Sequence, residues 1–70
     1  MMPLSLADAD TPLTIRKIGG NPALKLHLEN LGFTVGETVI LISNLGENVI
    51  VKVKESRVAI SREMAQKIMV

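Results

Sequence analysis

This sequence lacks cysteine and has very few aromatic side chains. The 70 residues include no cysteine, tryptophan or tyrosine, one phenylalanine, Phe33, and one histidine, His27. Without cysteine, neither a disulfide nor a thiolate metal ligand is available, and a domain this small must concentrate its apolar side chains in a core in order to fold. Without several aromatic side chains, neither an aromatic-lined groove for proline-rich peptides nor a stacking platform for bases is expected.

Charge of one sign and long apolar runs are also missing. Eight basic and seven acidic residues leave a formal net charge of +1, too little for a protein that holds a phosphate backbone. The longest apolar run, Val39 to Ile42, is far shorter than the roughly 20 residues of a membrane span. Asp8 and Asp10 are atypical of a signal peptide. We therefore expect one cytoplasmic domain over residues 1–70, with neither a nucleic-acid partner nor membrane insertion.

The remaining residues are rich in leucine, isoleucine and valine, and their spacing predicts a mainly β protein. Short apolar or alternating segments between turn residues indicate five strands, over residues 13–18, 37–43, 49–53, 57–60 and 67–70. The second, with its unbroken apolar run, is expected to be buried on both faces. A helical turn over residues 5–8, capped by Ser5, should precede the first strand. Short hairpin links favour closure of these strands into a small barrel.

One helix should be inserted between the first two strands. Asn21 is a good N-cap, Pro22 suits the first helical position, and Gly32 fits the residue after the end. Leu24 and Leu28 fall on one helical stripe, with Leu31 completing it. A second, single helical turn over residues 62–66 is predicted before the last strand, with Ser61 as its cap.

No arrangement of residues indicates catalysis. The sequence has no Gly-x-Ser-x-Gly segment and no phosphate-binding glycine loop, and its carboxylates are scattered, so we expect no enzymatic activity and no cofactor. His27 is a weak candidate ligand for Fe2+ or another divalent transition metal, because Glu29, two positions away, points to a different helix face. A boundary position is the more ordinary interpretation of this histidine.

Two groups of side chains could form contacts with partners. Leu26 falls on the helix face opposite the leucine stripe, between Lys25 and Glu29, which is the pattern of an apolar anchor within a polar rim. A single exposed leucine is also common on ordinary surfaces. Four basic residues lie near the second hairpin and are interpreted first as a solvated face and second as a nucleic-acid patch: Lys52, Lys54, Arg57 and Arg62.

Four segments in order resemble the FeoA family, ferrous iron transport protein A. These are a leucine-rich helix closing on 31-LGF-33, the turn 35-VGE-37, an apolar strand from Val39 into a Leu-Gly hairpin at Gly46, and a basic strand pair from Lys52 to Glu63. The opening 4-LSL-6 is also similar to the usual start of the family. Valine replaces the usual proline at position 35, and the helix carries Lys25 and His27 where relatives often have arginines.

The resemblance implies an SH3-like barrel with one inserted helix, acting as a non-enzymatic cytosolic accessory of ferrous iron uptake. It implies the cytoplasmic part of the membrane transporter FeoB as the partner. Exposed apolar residues permit a weak dimer, so we expect a monomer or a weak dimer. The contact surface is expected around Lys25, Leu26 and Glu29, extending to Phe33. Two alternatives remain: a domain that responds to transition-metal ions through His27, and a small nucleic-acid-binding barrel that uses the four basic residues.

Overall fold

A computed structural model describes all residues from Met1 to Val70. It contains a 3₁₀ turn, six strands and two helices. Their order is the 3₁₀ turn Leu4–Leu6, β1 (Pro12–Thr14), β2 (Lys17–Ile18), α1 (Pro22–Asn30), β3 (Thr38–Leu45), β4 (Asn48–Val53), β5 (Ser56–Ser61), α2 (Arg62–Ala65) and β6 (Ile68–Met69). None of the helices has the length and apolar character needed to span a membrane. The predicted mainly β class is confirmed, with six strands in place of five.

The strands form two small antiparallel sheets that enclose the core. Strand order is β1-β3-β4-β5 in the larger sheet, and β2 pairs with β6 in the smaller one. The N-terminus extends the smaller sheet, because the Met2 N–H donates to the carbonyl of Val70 at 3.0 Å and the Val70 N–H donates back at 2.9 Å. Fifteen buried apolar residues fill the space between the sheets. They include the inward-facing valines of β4, at positions 49, 51 and 53.

The segment predicted as one strand, residues 13–18, is divided between the two sheets. The Ile15 N–H donates to the carbonyl of Glu37 at 2.9 Å, whereas the next N–H, that of Arg16, donates to Met69 at 2.8 Å. Consecutive residues therefore bond to different sheets, and the chain turns the corner of the barrel between them. The prediction of a single strand was wrong because the corner depends on hydrogen bonds to two different sheets, which the local sequence does not reveal.

Strand β3 is less buried than its apolar run suggested. Val39 and Leu41 are buried, but Ile40 and Ile42 are only half-buried, so one face of β3 reaches the surface. The pairing with β4 shifts register between Leu41 and Ser43, which leaves Ile42 as an extra, bulged residue. After the bulge Asn44 takes an inward position opposite Val49.

The N-terminal turn also differs from the prediction. It spans Leu4–Leu6 and has no side-chain cap, because Ser5 lies within the turn and is buried. The Ser5 carbonyl instead accepts a hydrogen bond of 2.6 Å from the side-chain amide of Asn44. This bond fixes the turn against the end of β3, so a tertiary contact replaces the predicted local cap.

Candidate functional site

Helix α1 begins and ends where its local signals indicated. The side chain of Asn21 accepts a hydrogen bond from the Leu24 N–H at 2.8 Å, and Pro22 occupies the first turn. At the other end Gly32 has φ +104°, the left-handed conformation that suits glycine. Only Leu28 of the helix is fully buried. Most of the remaining helix surface is therefore available for contacts with other molecules.

The predicted anchor on this helix is exposed. Leu26 is 58% exposed, and its neighbours Lys25 and Glu29 are also exposed. We call these three residues the helix surface. It combines one apolar side chain with one positive and one negative charge, an arrangement that suits a small protein contact.

Phe33 does not belong to the helix surface, and its prediction as a contact residue was wrong. It is completely buried. Its N–H donates to the carbonyl of Leu28 at 2.9 Å, and the N–H of Gly32 donates to Glu29 at 2.9 Å. This is the Schellman arrangement, in which the residue after the glycine folds back to pack on the apolar residue of the last helical turn. The pattern Leu28, Gly32, Phe33 in the sequence could have revealed this burial.

The four basic residues near the second hairpin form a patch of three and one separate arginine. Lys52 lies directly opposite Arg57 in the β4–β5 pairing, and Lys54 lies in the connecting turn. All three are exposed. We call them the hairpin patch. These three residues are close in space as well as in sequence, because a two-residue turn joins the two strands.

Arg62 is the separate residue, and its assignment to the basic patch was wrong. Ser61, just before it, pairs with Asn48, which is at the opposite end of the hairpin from the turn. The guanidinium of Arg62 donates to the carbonyl of Gly46 from Nε at 3.0 Å and from the second terminal nitrogen at 2.7 Å. Its side chain therefore ties α2 to the β3–β4 turn, and it is not aligned with the other three cations.

The helix surface and the hairpin patch belong to neighbouring elements. A methyl group placed at Gly32 would lie 3.5 Å from the Val53 side chain and 3.9 Å from Cδ of Lys54. The end of α1 therefore packs on the end of β4 and on the stem of Lys54. This contact places the positive charge of Lys54 near the C-terminal end of the helix, where the helix dipole favours a cation.

His27 is exposed on α1. No group of three or more histidine, aspartate or glutamate side chains is close enough to hold a metal ion. The residues of one copy of this chain therefore do not fit a resident metal site.

Two clefts open on other parts of the surface. The larger, of about 460 Å³, lies between the N-terminus and the smaller sheet and is lined by Met1, Lys17, Gly19, Gly20, Gln66, Lys67 and Met69. The smaller, of about 290 Å³, is lined by residues around Arg62. Neither cleft includes a residue of the helix surface or of the hairpin patch.

The two sheets and the helix between β2 and β3 define a class of protein, the small six-stranded barrel with an inserted helix. The family model described as the FeoA domain matches residues 2–70. A protein of Methanocaldococcus jannaschii that carries the name Fe(2+) transport protein A is 33% identical over 70 residues, covering all of this chain and 85% of the relative. This chain belongs to the FeoA family, whose members are associated with Fe2+ transport.

Solved structures show the same fold. A crystal structure of an iron uptake regulatory protein, FeoA, superposes with a TM-score of 0.86 at 25% identity and covers 96% of this chain and 89% of the other. Stenotrophomonas maltophilia FeoA, described as an SH3 domain protein and solved with zinc, has a TM-score of 0.82 at 26% identity, covering 99% and 88%. The SH3-like barrel prediction is therefore confirmed.

Proposed function

We propose that this protein is a non-enzymatic cytoplasmic accessory of ferrous iron uptake that binds the cytoplasmic part of a FeoB-type membrane transporter through the helix surface. Family membership supports the role in Fe2+ transport. The observation that supports the contact site is Leu26, an aliphatic side chain left 58% exposed between two charged residues.

The burial pattern of α1 favours a role of the helix surface in binding a partner protein over a purely structural role. The helix contributes one fully buried residue, Leu28, to the core, while Leu24 and Leu31 only pack against it. Leu26 is neither a core residue nor one of the partly buried residues packed against the core. Full burial of an exposed leucine side chain is worth about 1.5–3 kcal/mol. Because Leu26 is 58% exposed, a partner that covers it would gain roughly 1–1.7 kcal/mol.

The test is an NMR titration of the labelled protein with the cytoplasmic fragment of the transporter. Contact through α1 should shift the amide resonances of residues 25–29 first. Leu26→Asp should weaken the complex about tenfold or more, because it places a charge at the centre of the contact. Iron uptake should fall in cells carrying the same variant.

Leu45→Asp is the matched control, since Leu45 is also an exposed leucine, at 80%, but lies at the end of β3. This variant should bind the fragment as the wild type does. The proposal fails when both variants bind equally well, or when saturating fragment leaves the resonances of α1 in place.

A second candidate function is a response to divalent transition metals, favoured by the zinc complex of the S. maltophilia relative. Because one copy of this chain offers no cluster of ligands, any such ion would have to join His27 to groups from another molecule. Addition of Zn2+ or Fe2+ should then shift the His27 ring resonances and increase the molecular mass in solution. An unchanged spectrum at millimolar metal removes this candidate.

A further inference from the structure

Strand β5 forms an open edge of the larger sheet. It is the last strand in the order β1-β3-β4-β5 and pairs only with β4. Its six residues, Ser56–Ser61, contain neither proline nor glycine. The opposite edge is different, because β1 is only three residues long and begins with Pro12. Short strands and proline are common ways to block strand addition at an edge, and β5 has neither.

The backbone groups that β5 leaves free follow from its turn. Lys54 and Glu55 form a two-residue connection, so the pair Val53–Ser56 closes the hairpin with hydrogen bonds. Bonded and non-bonded pairs alternate from there, which directs the N–H and carbonyl of Arg57 and of Ala59 away from β4. Neither residue takes part in any of the 18 backbone hydrogen bonds made outside the helices and ladders. Both residues are exposed.

The side chains beside this edge alternate in character. On the outer face, Arg57 lies opposite Lys52, and neither these two nor Lys54 makes a side-chain hydrogen bond. On the inner face, Val58 packs against the core but is only half-buried, because no strand lies beyond it. An added strand would place alternate side chains next to cations and next to an aliphatic surface.

We propose that the outer edge of β5 binds an extended segment of a partner protein in which acidic and aliphatic residues alternate, by adding it to the sheet as a further strand. The backbone of the segment bonds to Arg57 and Ala59. Its acidic side chains lie beside the hairpin patch, and its aliphatic side chains cover Val58. This goes beyond the proposed function, since it uses a different surface and holds for any partner that carries such a segment.

Charge favours an acidic partner over a second copy of this chain. Residues 56–61 contain one cation, Arg57, and no acidic residue. Two β5 strands paired about a two-fold axis would bring two hairpin patches to one sheet without any carboxylate on either paired strand. An acidic segment neutralises the same three cations, and the gain should decrease with salt because the cations are exposed.

The test uses the labelled full-length protein and a blocked seven-residue peptide of alternating glutamate and valine. Binding should shift the amides of Arg57 and Ala59 saturably and slow their hydrogen exchange. A peptide with lysine in place of glutamate should not bind. The absence of saturable shifts at millimolar glutamate peptide overturns the proposal, as do shifts confined to α1.

Ala59 provides the decisive variant. Its N–H is not needed by β4, and proline is tolerated where the N–H of an edge strand faces solvent. Ala59→Pro should therefore keep the barrel intact and weaken peptide binding about tenfold or more, whereas Ala59→Val, which keeps the N–H, should bind as the wild type does. Equal binding by the two variants overturns strand addition.

Arg57→Glu is a second test, which remains informative when Ala59→Pro disturbs the fold. This substitution leaves the backbone groups in place and reverses one charge, so it should weaken the glutamate peptide and strengthen the lysine peptide. Unchanged affinities overturn the acidic preference. The protein could instead form concentration-dependent dimers in which the amides of Arg57 and Ala59 are protected without peptide. That result would identify a second copy of this chain as the occupant of the edge and would overturn the proposal.

Discussion

Removal of the Phe33 side chain tests how this small barrel is held together. Phe33 is completely buried and is the largest of the fully buried side chains. Truncation of a buried phenylalanine to alanine costs about 3–5 kcal/mol, from lost transfer energy and the cavity left behind. At about 0.05–0.15 kcal/mol per residue, a chain of this length has about 3.5–10 kcal/mol of stability in total. Phe33→Ala should therefore remove between a third and all of it.

Phe33→Leu should reduce the free energy of unfolding by a smaller amount that can still be measured, because leucine keeps most of the apolar contacts. We expect a loss of about 1 kcal/mol, the cost of an imperfect hydrophobic exchange. With a urea slope of about 1 kcal/mol/M for a small domain, the unfolding midpoint should fall by about 1 M. The chain contains neither tryptophan nor tyrosine, so far-UV circular dichroism is the suitable probe.

Leu26→Ala is the control, since Leu26 is 58% exposed and its truncation should change stability by no more than about 0.5 kcal/mol. The reasoning is refuted when the midpoint of Phe33→Ala shifts as little as that of Leu26→Ala. In that case Phe33 would not be part of the core, and its place on the contact surface would be open again.

Three further predictions concern turns and caps, and each is checked by urea unfolding. Asn21→Ala should cost about 1 kcal/mol because it removes the acceptor of the Leu24 N–H, and Asn21→Asp should restore most of the loss. Gly20→Ala should destabilise more than Gly36→Ala, since both have positive φ but only at Gly20 would a methyl group meet a side chain, Leu24 at 2.8 Å. Lys54→Asn should be more stable than Lys54→Ala by a few tenths of a kcal/mol, because both variants lose the lysine stem and charge but asparagine tolerates the φ of 57° better.

Elements with strong local signals could be predicted from the sequence. The cap at Asn21 and the left-handed Gly32 delimit α1 within the chain itself, so no tertiary contact is needed to find them. The same is true of Ser61, whose hydroxyl accepts a hydrogen bond of 3.1 Å from the Met64 N–H and starts α2. The alternation of valines at positions 49, 51 and 53 likewise matches the buried face of β4.

Features set by tertiary partners could not be predicted. The break between β1 and β2 exists because Ile15 and Arg16 bond to different sheets, and the local sequence is equally strand-forming on both sides. The bulge at Ile42 is likewise visible only in the pairing with β4. In both cases the residues have the right propensity, but the partner decides how long the strand continues.

The residues of the candidate surfaces also divide into those predictable from local sequence and those that depend on tertiary contacts. Exposure of Leu26 followed from the helical period alone, whereas the burial of Phe33 depends on the chain folding back after Gly32. Arg62 does not belong to the hairpin patch because it follows the end of β5 that is farthest from the β4–β5 turn. Sequence proximity therefore predicts a shared surface only near the turn.

Lys54 lies where the two proposed binding regions approach each other, so its charge tests whether one partner can use both. Its stem lies near the Gly32 end of α1, and its position in the turn adjoins the free edge of β5. Lys54→Glu keeps the side chain long and changes only the sign of the charge there. A partner that spans both regions should bind this variant more weakly than Lys54→Asn, which removes the charge without reversing it. When the variant weakens the glutamate peptide but leaves the transporter fragment unaffected in titrations, the fragment contacts α1 alone.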